Sequence, residues 1–133
     1  MNQFILTTMA FGRTSEYKRA ILAILSAYAL LSVAKECLLV VFYTDNPLYF
    51  SNWFHGLNVQ IHELNESKIK ALCGKLDFIH NIKIGIIDET LAKFPNNSIL
   101  YIDADTFFIA DPIIAFKRIN FQTSCMYAHE YQF

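Results

Sequence analysis

The sequence predicts an α/β fold, a mostly parallel sheet flanked by helices, and three observations carry that reading. Short runs of β-branched and aromatic residues alternate with longer segments of helical spacing. One run, Leu-Leu-Val-Val-Phe-Tyr at 38–43, is apolar without a break, as a strand covered on both faces should be. The chain has 133 residues, 54% apolar and 17% charged, which suits one compact core and excludes a disordered chain.

Each element follows from local pattern. Residues 4–9 are short, apolar and rich in β-formers, and read as the first strand. A loop at 12–15 leads into a long helix expected at 16–36, with Thr14 or Ser15 as its cap. That helix is apolar around most of its circumference, so it should pack on more than one side. The strand at 38–43 stops at Thr44-Asp45-Asn46-Pro47, a run of turn residues. A short helix is expected at 48–54 and an alternating strand at 59–64. Helical spacing resumes at 65–73 and 77–94, broken near Gly74, with Gly85 weakening the middle of the second segment. After the turn Pro95-Asn96-Asn97 comes a strand at 98–102, then a short strand at 106–109, a break at Ala110-Asp111-Pro112 and one or two helical turns at 113–118. Residues 124–128 form a last strand candidate.

Composition narrows the function classes. A net charge of -1 with scattered Lys and Arg gives no basic patch for nucleic acid. Cys37, Cys73 and Cys125 form no CxxC pair and read as reduced, buried small hydrophobes, which points to a reducing compartment. The N-terminus lacks the basic start of a secretory signal. The longest apolar stretch, 20–34, is shorter than the roughly 20 residues a membrane span needs. The expected location is therefore the cytoplasm, with peripheral association at the inner face of a membrane left open. His55, His62 and His80 show no spacing that makes a joint site.

The segment richest in chemistry is Ile99-Leu100-Tyr101-Ile102-Asp103-Ala104-Asp105-Thr106. An apolar strand delivers two carboxylates, one residue apart, into a further apolar run. Burying both is costly unless a positive group meets them. A hard divalent cation does so, since Mg²⁺ and Mn²⁺ take oxygen donors and share them with substrate phosphates. The plainer reading is that aspartates at a strand end cap a turn. In a parallel α/β sheet, ligands bind outside the carboxyl ends of the strands, and the triplet stands at one such end.

The run from Leu100 to Thr106, followed by Asp111-Pro112, resembles the DxD segment of GT-A glycosyltransferases. It is most similar to the family of glycogenin and the bacterial lipopolysaccharide glucosyl- and galactosyltransferases. The layout of strands at 4–8 and 40–45 agrees with the nucleotide-binding half of those enzymes. The resemblance implies a Rossmann-like GT-A fold and a nucleotide-sugar-binding domain over 1–133, broken off after the DxD strand region. It implies transfer of a sugar from a nucleotide-diphosphate sugar, typically a UDP-sugar, to a carbohydrate or glycolipid acceptor. Asp103 and Asp105 would hold Mn²⁺ or Mg²⁺ against the diphosphate, with Asp103 also approaching the ribose. Thr7 and Thr8 would lie near base and ribose at the end of the first strand, and Lys83 would face the sugar nucleotide. Lys83 reads equally as a solvated helix charge. Asp45 reads as a ligand contact or as a cap of its own turn. A later histidine often completes the metal site in that family, and His129 is a candidate. No catalytic base is implied.

Two other classes compete. A haloacid-dehalogenase-like phosphatase would use Asp103 as nucleophile, but its motif opens the fold and sets Thr two positions after the second Asp. A non-catalytic nucleotide-binding module would keep metal-dependent binding and never consume a donor.

Overall fold

The computed structural model describes residues 3–119, so the strand expected at 124–128, Cys125 and His129 lie outside the described residues. Four strands form one sheet: β1 (Phe4–Ala10), β2 (Leu38–Thr44), β3 (Val59–Glu63) and β4 (Ile99–Tyr101). Their order is β3-β2-β1-β4 and every pairing is parallel. All of β2 is buried, as its unbroken apolar run requires.

Helices cover both faces. Helix α1 (Thr14–Ala29) packs Ala20, Ile21, Ile24 and Ala27 onto Leu6, Val40 and Phe42. Helices α2 (Glu66–Cys73) and α3 (His80–Lys93) cover the other face, where Cys73, Ile82 and Ile86 meet Ile5, Leu39, Val41 and Tyr43. The period of two along a strand sends neighbours such as Ile5 and Leu6 into opposite layers. Each large aliphatic side chain so buried contributes roughly 1.5–3 kcal/mol. A short helix, α4 (Ile113–Phe116), closes one side with Phe116 against Phe4, ring centroids 5.0 Å apart. Among the described residues no helix is long and apolar enough to cross a membrane.

The structure corrects several boundaries. Helix α1 stops at Ala29 rather than Glu36, although residues 30–34 stay largely apolar. Its 16 residues span about 24 Å. The seven residues of β1 span about 23 Å, so a longer helix would overshoot the sheet before β2 could return beside β1. The cap is Arg13, with no side-chain cap bond from Thr14 or Ser15. The helix expected at 48–54 is a 3₁₀ turn over Pro47–Phe50. Residues 106–109 form no strand: the Thr106 amide donates to the Asp103 carbonyl at 3.0 Å, and the Phe108 amide donates to Ser26 Oγ of α1 at 2.9 Å. The chain thus folds over α1 instead of continuing in the sheet. Helix α3 runs unbroken through Gly85, because a Cβ there would meet Leu72 of α2 and the bare position lets the two helices close up.

Candidate functional site

The strand order sets where a ligand can enter. From β1 the chain proceeds outward to β2 and β3, then crosses back to β4 on the other side of β1. Beside β1 and β4 the carboxyl ends therefore part, which is the place where open α/β sheets bind ligands. A cleft of about 440 Å³ lies there. The end of β1 gives it Met9, Ala10 and Phe11, and α1 gives Glu16. Helix α3 and the residue before it give Ile79, His80 and Lys83, and the chain leaving β4 gives Tyr101, Asp103, Ala104 and Asp105. A second cavity of about 750 Å³ adjoins it, sharing Lys83, Asp103 and Asp105 and adding Thr106, Phe107 and Ile109.

Asp103 and Asp105 are both exposed, while Ala104 between them is buried in the α1-side core. The alternation that anchors Ala104 turns its two neighbours outward. The premise of a buried carboxylate pair is thereby overturned: neither group suffers the desolvation that would demand a metal. What meets Asp103 is Lys83, whose Nζ lies 2.9 Å from Oδ1 and 3.2 Å from Oδ2. The same ammonium sits 4.9 Å from the centroid of the Tyr101 ring. The Tyr101 hydroxyl donates to Asp103 Oδ1 at 3.1 Å. Burial first, and then the Asp103 charge and hydrogen bond, push the Tyr101 phenol far above its ordinary range. It is therefore a neutral, fixed donor that aims the carboxylate.

The two carboxylates are hard oxygen donors of the kind a divalent cation takes. Two exposed carboxylates supply oxygen ligands, and among the described residues no third Asp, Glu, His or Cys joins them as a metal cluster. Mg²⁺ is commonly held by one or two carboxylates, the remainder being water and substrate phosphates.

The other sequence candidates lie elsewhere. Thr7 and Thr8 are not at the strand end, because β1 continues to Ala10; both are fully buried. The Thr7 hydroxyl donates to the Val41 carbonyl at 3.0 Å and lies 3.4 Å from Thr90 Oγ1. The Thr8 hydroxyl has no hydrogen-bond partner among the described residues, and the packing offers no reason for it. Asp45 is engaged within the fold, accepting from the Gly12 amide at 3.1 Å and from the Tyr17 hydroxyl at 2.7 Å. Gly12 has φ +91, a left-handed value that favours glycine, and Asp45 fixes the β1–α1 loop in that shape.

Sequence reasoning passed over Tyr101, His80, Glu16 and the residues ending β1. Tyr101 had a signal, since it stands two positions before Asp103 on the same side of an extended chain. His80 had one too, three positions before Lys83 and so on the same helical face.

The geometry defines a class: a parallel α/β sheet with an acidic and basic cleft at its switch point, as in nucleotide-binding folds. The solved structures include one of similar backbone. Along 84% of this chain the backbone is similar to the crystal structure of S. aureus TarS, a glycosyltransferase, with a TM-score of 0.53 and 15% sequence identity. The match covers 18% of the TarS chain, so this chain spans less than a fifth of it. No family model and no curated protein matches the sequence. The fold is thus a Rossmann-like α/β fold, an all-parallel four-stranded sheet flanked by helices.

Proposed function

We propose that this chain is the donor-binding part of a metal-dependent glycosyltransferase that takes a nucleotide-diphosphate sugar, most simply a UDP-sugar, and serves a carbohydrate or glycolipid acceptor. The observation that carries the reading is the Asp103-Ala104-Asp105 triplet at the end of β4, opening on the switch-point cleft with Lys83 at its wall. The backbone likeness to a glycosyltransferase supports the same class.

In this reading Asp103 and Asp105 hold Mn²⁺ or Mg²⁺, which neutralises charge on the departing diphosphate. Tyr101 keeps Asp103 oriented through its hydrogen bond. Lys83 supplies a second positive charge at the cleft, where phosphate oxygens gather. The ends of β1, with Phe11 and Met9, form the apolar wall against which a nucleoside lies. Thr7, Thr8 and Asp45 act in the scaffold. A phosphatase using Asp103 finds less support, because here the acidic triplet follows the fourth strand rather than the first.

The test is a calorimetric titration of the chain with UDP, with and without Mn²⁺, followed by an assay of UDP-sugar hydrolysis. Binding that requires Mn²⁺ and disappears in Asp105→Asn is expected. UDP binding indifferent to both EDTA and Asp105→Asn would overturn the metal role, and a trapped phosphoaspartate on Asp103 would favour the phosphatase.

A further inference from the structure

We propose that Lys83 is an internal stand-in for the cation: it pairs with Asp103 in the ligand-free protein, is displaced by an incoming divalent ion, and passes to the ligand's diphosphate, so that ion and diphosphate load together. The inference rests on the metal reading above and adds to it an order and a coupling.

The argument starts from position. Lys83 Nζ contacts both oxygens of Asp103, at 2.9 and 3.2 Å, and so occupies a carboxylate that would otherwise be open to a divalent ion. Tyr101 takes one of the same oxygens from another direction, leaving Asp103 with its charge already shared. Among the described residues Asp105 has no such partner, and the two aspartates share both cavities with the lysine. A divalent ion entering alone must break the Lys83–Asp103 pair and then lie beside a displaced ammonium. Like charges at such range repel, the more so because the ion is doubly charged. An ion entering with a diphosphate brings anionic oxygens that receive the ammonium, so the repulsion becomes attraction.

The lysine is free to make that exchange. Its side chain is 35% exposed and that of Asp103 is 54% exposed, so the pair is held by geometry rather than burial and opens at small cost. The aromatic face of Tyr101 at 4.9 Å gives the ammonium a resting place that survives loss of the carboxylate contact. A purely structural ion pair would weaken every ligand's access alike. A stand-in instead opposes the ion alone and favours ion and diphosphate together, and this coupling must be reciprocal.

The experiment compares the full chain with Lys83→Met, and with Lys83→Gln as a second variant should the first misfold. Free Mn²⁺ is followed by electron paramagnetic resonance, first without nucleotide and then with UDP. In the variant, Mn²⁺ alone should bind about threefold tighter or more, the lower end set by the strength of an exposed ion pair. UDP in saturating Mn²⁺ should bind about tenfold weaker, on the scale of a lost charge-assisted contact. Lys83→Arg, which keeps the charge, should resemble the unaltered chain. Unchanged or weaker binding of Mn²⁺ alone in Lys83→Met overturns the stand-in while leaving the metal site intact. Failure of every form to bind Mn²⁺, with or without UDP, overturns the metal reading and the stand-in with it.

Discussion

Two aspartates at two strand ends are held in opposite ways, and the difference lies in what surrounds them. Asp45, past β2, and Asp103, past β4, each accept a hydrogen bond from a tyrosine, Tyr17 at 2.7 Å and Tyr101 at 3.1 Å. Asp45 spends its other oxygen on the Gly12 amide, so it closes a loop. Asp103 offers both oxygens to a partly exposed lysine at a cleft, so in the proposed loading it can change partner. A carboxylate bonded to backbone is committed to the fold, whereas one bonded to a flexible side chain can change partners.

The largest effect that tests this contrast is on ligand binding. Asp103→Asn and Asp105→Asn should each weaken Mn²⁺-dependent UDP binding by more than about 100-fold, since loss of an outer partner alone costs ~10–100-fold. Their thermal midpoints should stay near that of the unaltered chain, because both side chains are exposed. Asp45→Ala should do the reverse, lowering stability by about 1.5–3 kcal/mol in urea titration while UDP binding persists. Equal loss of binding in Asp45→Ala and Asp103→Asn would erase the distinction. Tyr101→Phe should weaken Mn²⁺-dependent UDP binding about tenfold with the fold intact.

Tyr17→Phe comes last, at about 1 kcal/mol of stability. It also carries a pH signature. Burial, then the hydrogen bond and charge of Asp45, push the Tyr17 phenol from 10.0 to about 12. The neutral phenol is thus favoured by folding, and its contribution is complete below pH 10.0 and lost as pH rises through about 12. Urea midpoints measured across that window should fall more steeply for the unaltered chain than for Tyr17→Phe.

These contrasts also mark what a sequence discloses. The four strands were legible because unbroken or alternating β-branched runs depend on local pattern alone. The sequence also set the acidic triplet at the carboxyl end of a strand; the strand order that makes this a switch point came from the structure, where Asp103, Asp105 and Lys83 line one cleft. Thr7 and Thr8 misled because the strand was ended at 9, and at 8 in the family comparison; the pairing of Ala10 with Thr44 extends β1, and nothing local announces a register. The end of α1 was illegible for a related reason, as helix length there obeys the span of the sheet. The apolar run at 106–109 looked like a strand, and only its tie to Ser26 in α1 shows otherwise. Exposure of the two aspartates depended on Ala104 finding the core, which is a tertiary fact.

The register of β1 against β4 has one more consequence. Ile5 pairs with Ile99 and Thr7 with Tyr101, so the β1 and β4 sides of the cleft come from opposite ends of the described chain. Closing a loop of about ninety residues is entropically dear and slow compared with zipping β1, α1 and β2 together. During synthesis the first three strands can assemble their core while the cleft still has a single wall. The cleft is therefore completed late in folding, and under the proposed function a bound nucleotide would act as a clasp on the last seam to close.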